Sequence, residues 1–482
     1  MAEPLQYAGE YHLNEMSIMA PSGNFESLEQ NVLNFNIYED IFVGALYGDI
    51  TIIDVDSMSE TLPIIGQEQL ILNVTTPGLE IAPIIHNFSI YTIERREDIS
   101  KGGQVLKLSF CSPEVLRNER IRVSKSYTNT IDNIVADVLA NEIKTKKTFR
   151  TEPTSGIRKI VSPNFHPYSL INSLTQESVS QKFGANHFLF YESLRAINFI
   201  SLEHLYTLPS VGEIESDGAD SVGGPLESNV KPDPIVEFKR PLEFQVNSTN
   251  HLISNIRNGL LGSKMTTYNI FRKNYEKYDF GYFNEFYRLP RTNTSKRDGT
   301  FGASFAAYSN GYYDSDQKNI GEYPDSKIHL NSISSSRLAG NRWDTTHSVD
   351  LFAGTDGAYP YVANGNSNIL SRNSKLAELI NGISITMKVH GHTMMGVGDK
   401  LTVKFPAAKI SQDRQQDRYL SGDFLITKTR HIFNNETRRY QIVIVAASDD
   451  LRAPLPDSTS ATKSFTDDFA GLTGARRVQV GQ

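Results

Sequence analysis

The chain has 482 residues, 39% apolar and 21% charged, values that fit about three globular domains and exclude wholesale disorder. Its 48 Lys and Arg stand against 55 Asp and Glu, a net charge of −7, which argues against the basic stripe a nucleic-acid binder needs to displace counterions. A single cysteine, Cys111, excludes an intramolecular disulfide and a cysteine-type zinc cluster, and no apolar run is long enough to cross a bilayer.

The N-terminal stretch "MAEPLQYAGEYHLNE" has neither a basic n-region nor an apolar h-region, so it does not read as a secretory signal. The runs "ALYGDITIIDVD" (45–56), "EQLILNV" (68–74), "HNFSIYTIERRE" (86–97) and "QVLKLSFCS" (104–112) alternate or are β-branched, and Gly, Pro and Asp break them into strands. The period then changes. In "TNTIDNIVADVLANEIK" (128–144), Ile131, Ile134, Val135, Val138, Leu139 and Ile143 fall at helical spacing. A second helix is expected in 166–181, with Pro167 in its first turn, followed by a hairpin from "NHFLFYES" and "AINFISLEHLY".

Residues 212–234 are acidic and rich in Gly and Pro, and read as a linker. Beyond them, 235–246 is strand-like, 247–259 a short capped helix, and 263–280 extended. Residues 290–370 are Ser-, Asn-, Gly- and Tyr-rich with little periodicity, the signature of long functional or interfacial loops. A helix at 373–382 leads back into strands through "ISITMKVH", "DKLTVKF", "GDFLITKTRHIF" and "RYQIVIVAAS". From 453 to 482 the chain is polar and reads as an extended arm.

Two passages say similar things. "LPIIGQEQLILNV" (62–74) and "MMGVGDKLTVKF" (394–405) both run from an apolar stretch through a Gly-bounded turn into a strand. Residues 88–112 also align with 424–448 without a gap: Phe88 meets Phe424, Ile90 meets Ile426, and Leu106, Leu108 and Phe110 meet Ile442, Ile444 and Ala446. Keeping alternate apolar positions in register keeps one face buried, so the chain is expected to carry one β-unit twice.

The pairing of 48–78 with 396–450, and the segment "HPYSLINSLTQESVSQKFGANHFLFYES" (166–193), resemble the central baseplate hub of contractile-tailed bacteriophages and the N-terminal half of type VI secretion spike proteins. The resemblance covers most of 40–280 and 374–450 and rests on diffuse patterns, not on catalytic signatures. It implies an α+β, β-rich chain with two similar tube-like antiparallel β-barrel domains and peripheral α/β structure. The expected division is a first barrel at 1–113, a peripheral α/β domain at 114–230, a second barrel from 231–247 with 374–452, a peripheral insertion at 248–373, and the arm 453–482. It further implies a homotrimer whose six barrels adapt a three-fold central spike to a six-fold tail tube. Tube or tube-initiator proteins, and baseplate wedge proteins, would be the other partners. DNA would pass through the channel without specific binding, in a virion tail assembled in the host cytoplasm.

Candidate chemistry is sparse, and no catalytic residue, cofactor or metal is expected. His390 and His392 in "VHGHTMM" share a strand face but lack a third ligand nearby. "DSDQKNIGEYPD" (314–325) has Lys318 where a calcium loop needs an oxygen and Asn319 where it needs glycine. "FAGTDGAYPYVANGNSN" (352–368) lacks the Lys-Ser/Thr pair of a phosphate loop and reads as an ordinary loop. "DRQQDR" (413–418) reads as a solvated connection and Cys111 as a small core residue. The alternative is a tail-associated cell-wall hydrolase or polysaccharide binder using 290–370 as an aromatic platform, since paired carboxylates need not lie close along a chain.

Overall fold

The computed structural model describes residues 5–54, 64–78, 82–99, 103–215, 233–248, 252–269, 274–286, 288–293, 323–332, 365–411, 414–417 and 419–451. The chain opens with seven strands: β1 (His12–Met19), β2 (Phe25–Ser27), β3 (Val32–Asp40), β4 (Tyr47–Asp54), β5 (Gln69–Thr75), β6 (Ile84–Ile99) and β7 (Gly103–Cys111). A mixed segment follows, with helix Pro113–Arg120, β8 (Ser126–Thr130), helix Ile131–Asp137 running into a π-helical turn Val138–Ile143, β9 (Phe149–Thr151), β10 (Ile157–Val161), helix Pro167–Glu177, β11 (Phe188–Glu192), β12 (Ile197–Ser201), helix Leu202–Thr207 and β13 (Ser210–Glu215). Next come helix Pro234–Glu237, β14 (Pro241–Ser248), helix Leu252–Arg257, β15 (Gly262–Asn269), β16 (Asn274–Gly281), helix Tyr282–Phe286, β17 (Ile328–Ser332) and the long helix Gly365–Asn381. Six strands close the described chain: β18 (Ile383–His390), β19 (Lys400–Lys404), β20 (Pro406–Ser411), β21 (Arg414–Gln416), β22 (Gly422–Asn434) and β23 (Arg439–Ser448).

The fold is α+β and β-rich. One large sheet runs β14–β18–β23–β22–β3–β4–β7–β6–β5–β1–β2, with β19 also on β22 and β13 parallel to β19. Within it the order β3–β4–β7–β6–β5 is repeated as β14–β18–β23–β22–β19.

The repetition extends to register. In the β6–β7 hairpin Ser89 opposes Cys111 and Ile90 opposes Phe110, and the pairing then slips by one residue before Thr92. In the β22–β23 hairpin the equivalent Leu425 opposes Ala447 and Ile426 opposes Ala446, and the same slip falls before Lys428. A second shared irregularity lies on the other side of each unit: between Val32 and Asn34 where β3 meets β4, and between Pro241 and Glu243 where β14 meets β18. Bulges re-aim every residue beyond them, so two at matching places are strong evidence that one unit is present twice.

The two similar phrases are the turns that enter β5 and β19. In the first, Glu68 accepts from the backbone N–H groups of Ile65, Gly66 and Gln67 (2.7, 2.9 and 3.0 Å), and its carbonyl takes the N–H of Ile90 at 2.9 Å. In the second, Asp399 accepts from Gly396 N–H at 3.0 Å, and its carbonyl takes the N–H of Ile426, the residue equivalent to Ile90, at 2.9 Å. Gly66 and Gly398 have φ of 87° and 86°, a region open to glycine and strained for other residues. A short carboxylate capping a tight turn is what both phrases encode.

Phe35, Phe88 and Phe110 of the first unit share one apolar cluster with Ile385, Phe433 and Ile444 of the second. Phe35 stacks on Phe433 across the junction with ring centroids 4.4 Å apart, and Phe433 on Tyr440 at 4.1 Å. The mixed segment has its own core, where Ile131, Ile134, Val135 and Val138 meet Leu170, Phe188 and Phe199. A third cluster joins Met265, Phe280 and Tyr282 to Leu370 of the long helix.

Several expectations need correction. Residues 128–130 finish strand β8 against β10, so the helix begins at Ile131. "LEHLY" is helical after β12, and 234–237 is a helical turn before strand β14. The acidic linker expected from 212 begins later, because Gly212–Glu215 belong to β13, which gains strand hydrogen bonds from β19. The helix before β18 begins at Gly365, so the end of the expected loop 352–368 is helical. Within "DRQQDR", β21 pairs with β20. The arm 453–482, the "DSDQKNIGEYPD" stretch up to 322 and most of 290–370 lie outside the described residues.

Ile444 is fully buried between β18 and β22. Ile444→Asp is expected to cost about 4 kcal/mol or more, because an unpaired carboxylate would sit in the core. Lys428→Asp, at a side chain 56% exposed, should cost about 1 kcal/mol. Urea unfolding followed by circular dichroism checks both; equal losses would contradict this account of the core.

Candidate assembly surface

The junction between the two units is an ordinary antiparallel ladder, from Lys428 opposite Asp40 to Asn434 opposite Asn34. Along β3, side chains alternate, so Phe35, Ile37 and Glu39 point into the core while Asn36, Tyr38 and Asp40 point out. Glu39 is therefore a carboxylate on an apolar face, only 2% exposed. Its Oε1 accepts from Leu194 N–H at 2.6 Å; its Oε2 accepts from Val397 N–H at 3.2 Å and Thr429 Oγ1 at 2.6 Å, and lies 3.1 Å from His431 Nε2. The other nitrogen of His431 lies 2.7 Å from the Tyr440 hydroxyl. Burial pushes the Glu39 pKa up, but His431, Thr429 and the Leu194 amide outweigh it and hold the carboxyl below its ordinary value. Beside this knot Arg195 pairs with Asp399, whose pKa burial raises to about 6 against the pull of that arginine.

The outward face of the same strands is polar and internally paired. Lys428 meets Asp40 at 2.8 Å, Lys107 meets Glu94 at 2.6 Å, and Arg430 lies over the Tyr38 ring and donates to Asn36 at 3.2 Å. Asn36 and Tyr38 in turn donate to Asp49 at 2.8 and 2.7 Å.

The long strand of each unit is divided along its length. β22 pairs with β19 of its own unit over Gly422–Leu425 and with β3 of the other over Lys428–Asn434. Its equivalent β6 pairs with β5 over Ile84–Ser89, and among the described residues the same edge carries no partner strand from Thr92 to Ile99. Among the described residues β14, the equivalent of β3, likewise has a neighbour on one side only, β18. Among the described residues the chain thus carries an open edge of the β22 type, on β6, and one of the β3 type, on β14. Tyr91, Ile93, Leu242 and Phe244 on these edges are at least 40% exposed.

Residues singled out for chemistry fall elsewhere. His392 is half-buried with its ring edge-on to Phe238 at 5.5 Å, and desolvation lowers its pKa to about 4; His390, also half-buried, sits beside Gly9. No group of three or more His, Cys, Asp or Glu among the described residues is arranged to hold a metal. Cys111 is buried on β7 and its thiol is raised to about 11, so it is a core residue. The sequence reading missed Glu39 and His431. The signal was present in "FNIYED", where period two puts a glutamate in line with Phe35 and Ile37.

No family model and no curated protein sequence matches the chain. Solved structures similar to it include phage tail and type VI secretion proteins. The tail protein from Neisseria meningitidis MC58 is 11% identical, with 91% of this chain and 96% of that one covered at a TM-score of 0.45. The 43 kDa tail protein of prophage MuSo2 from Shewanella oneidensis is 9% identical, with 90% and 98% covered at 0.48. The E. coli c3393 protein, a component of the type VI secretion system with structural similarity to T4 bacteriophage tail proteins gp27 and gp5, is 11% identical, with 89% and 76% covered at 0.38. These are likenesses of fold.

Replacing Glu39 by Gln would set amide protons against donors from three segments, at an expected cost of about 3–5 kcal/mol. Because its folded pKa is depressed, Glu39 stabilises the protein above its unfolded pKa of about 4.3, and that contribution disappears as pH falls through the lower folded value. Denaturation of Glu39→Gln from pH 3 to 7 should therefore show its largest deficit at the neutral end and a narrowing gap in acid. A gap constant with pH would contradict the ionised knot.

Proposed function

We propose that this chain is the structural hub of a phage tail baseplate, a non-enzymatic trimer that joins a three-fold central spike to a six-fold tail tube. The observation that carries the reading is the divided long strand. β22 divides its edge between β19 of its own unit and β3 of the next, while among the described residues β6 has only the first kind of partner on that edge. In a ring, β6 of one subunit would take β14 of its neighbour as β22 takes β3 within the chain. Open edges are association hazards, and closed cyclic assembly removes them without leaving an end. Two units per chain and three chains give the six similar positions that a six-fold tube requires.

In this reading each unit closes as a tube-like barrel, and 114–230 with 248–373 forms peripheral structure outside the wall. The arm 453–482 lies against a neighbour. The outward face of β3, β4, β7 and β22 lines the channel. Lys428 is already paired with Asp40 and Lys107 with Glu94, which supports a lining that lets DNA pass without holding its phosphates. Tube, spike and wedge proteins are the partners, and assembly takes place in the host cytoplasm.

Superposing the internal junction on the open edges gives a register. Arg95 is equivalent to Arg430, and Asn247 to Tyr38, the residue opposite Arg430; Glu97 and Gln245 are the next such pair. Light scattering at micromolar concentration should give a trimer. Oxidising Arg95→Cys/Asn247→Cys should yield a covalent ladder ending at three chains, whereas Arg95→Cys/Gln245→Cys, two residues out of register, should not. The buried Cys111, the sole native cysteine, leaves the readout clean. A stable monomer overturns the hub. A trimer without the in-register cross-link keeps the ring and rejects this edge.

A further inference from the structure

Between the end of β9, the segment after helix Pro167–Glu177, and helix Leu202–Thr207 lies an open cleft of about 410 Å³. Its lining is mainly apolar and includes Thr151, Pro153, Gln181 and Lys182, with Glu152 and His204 as its other charged or titratable groups. Glu152 is only 5% exposed. Its Oε2 is occupied, accepting from Ser201 Oγ at 2.9 Å and Ser201 N–H at 3.4 Å, with His204 Nδ1 3.6 Å away. Its Oε1 has no hydrogen-bond partner.

We propose that this cleft is a docking site for a lysine side chain of a partner protein. A buried carboxylate oxygen with no donor is a costly arrangement, and a donor arriving through the cleft would relieve it. The terminal torsion of glutamate is soft, so a small rotation presents Oε1 to the lumen. The apolar walls suit the four-carbon stem of a lysine, which buries its methylenes while its ammonium seeks a polar end. The carboxylate itself discriminates between the two basic side chains. An arginine fork is best matched by both oxygens together, and Ser201 already holds one; a single free oxygen suits the compact ammonium. Lys182 does not fill the place, since its ammonium lies over the Phe183 ring at 4.9 Å.

The site belongs to the mixed segment and stands or falls independently of ring formation. The test uses the full chain with carbon-13 in its histidine rings, titrated with Nα-acetyl-lysine methylamide while the His204 ring signals are followed by NMR. A saturable shift is expected, with the Nε-acetylated compound, identical but uncharged, binding about tenfold more weakly or worse. Glu152→Gln, its folding checked by circular dichroism, should lose the preference between the two compounds. Equal shifts from both compounds in the native chain, or no saturable shift from either, would overturn the proposal without recourse to the variant. A stronger response to Nα-acetyl-arginine methylamide would also overturn it, because it would reverse the choice argued from the single free oxygen.

Discussion

The architecture turns on one buried carboxylate. Glu39 sits where the two β-units meet, and a lone charge there would cost several kcal/mol. It is tolerated because four donors converge on it, from the β11–β12 turn at Leu194, the β19 entry turn at Val397, and Thr429 and His431 of β22. Those donors come from the second unit and from the mixed segment, and the carboxylate itself comes from the first unit. The carboxylate therefore fixes three bodies of structure at one point, and none can shift alone without leaving it unsatisfied. Apolar stacking of Phe35 on Phe433 supplies area at the same junction, but area alone tolerates sliding and a four-donor knot does not.

The repeat is faithful in backbone and divergent in side chains. The position equivalent to Glu39 in β14 is Ser248, and those equivalent to Thr429 and His431 in β6 are Ile93 and Arg96. The bulges after Ile90 and Ile426, and after Val32 and Pro241, are thus duplicated, a further slip between Ile93 and Arg95 occurs in β6 alone, and the knot is not repeated. That is the expected outcome if the internal junction is permanent and its counterpart is made only on assembly. A carboxylate waiting on an open edge for donors from another chain would stabilise nothing until they arrived. Extended backbone with Ile93 and Phe244 exposed needs no such completion, because main-chain hydrogen bonds and modest apolar area are available in any partner of the same shape.

Much of this was legible in the sequence, and the reasons are local. Residues 88–112 and 424–448 align without a gap because their first bulge falls at the same place, so alternation slips in both together. The turns before β5 and β19 were recognisable from glycine followed by an acidic residue. β3 was not read as a strand, since Asn34, Asn36 and Glu39 break its apolar run; its hydrogen bonds come from neighbours on both sides, β4 and β22. β13 was hidden for a similar reason, its "SVGEIE" gaining strand character from a distant partner, β19. The knot was half legible: period two marks Glu39 as inward-facing, but nothing near it in sequence names its donors at 194, 397, 429 and 431.

A chain containing two copies of one unit carries a constraint that a single-copy chain does not. Head-to-tail contacts build a closed ring or an open helix according to the rotation each contact imposes. Here one such contact is made internally, and its geometry is set during folding by β22, β3 and Glu39 before any second chain is met. In the proposed ring, the external contact uses the equivalent strands, β6 and β14, in the equivalent register, so it inherits a rotation close to the internal one. Subunit number then follows from the fold of the monomer, with no separate surface needed to count to three. The side-chain divergence sets the strength of each contact, while the shared bulges and register set its angle, and a ring needs only the angle to be common.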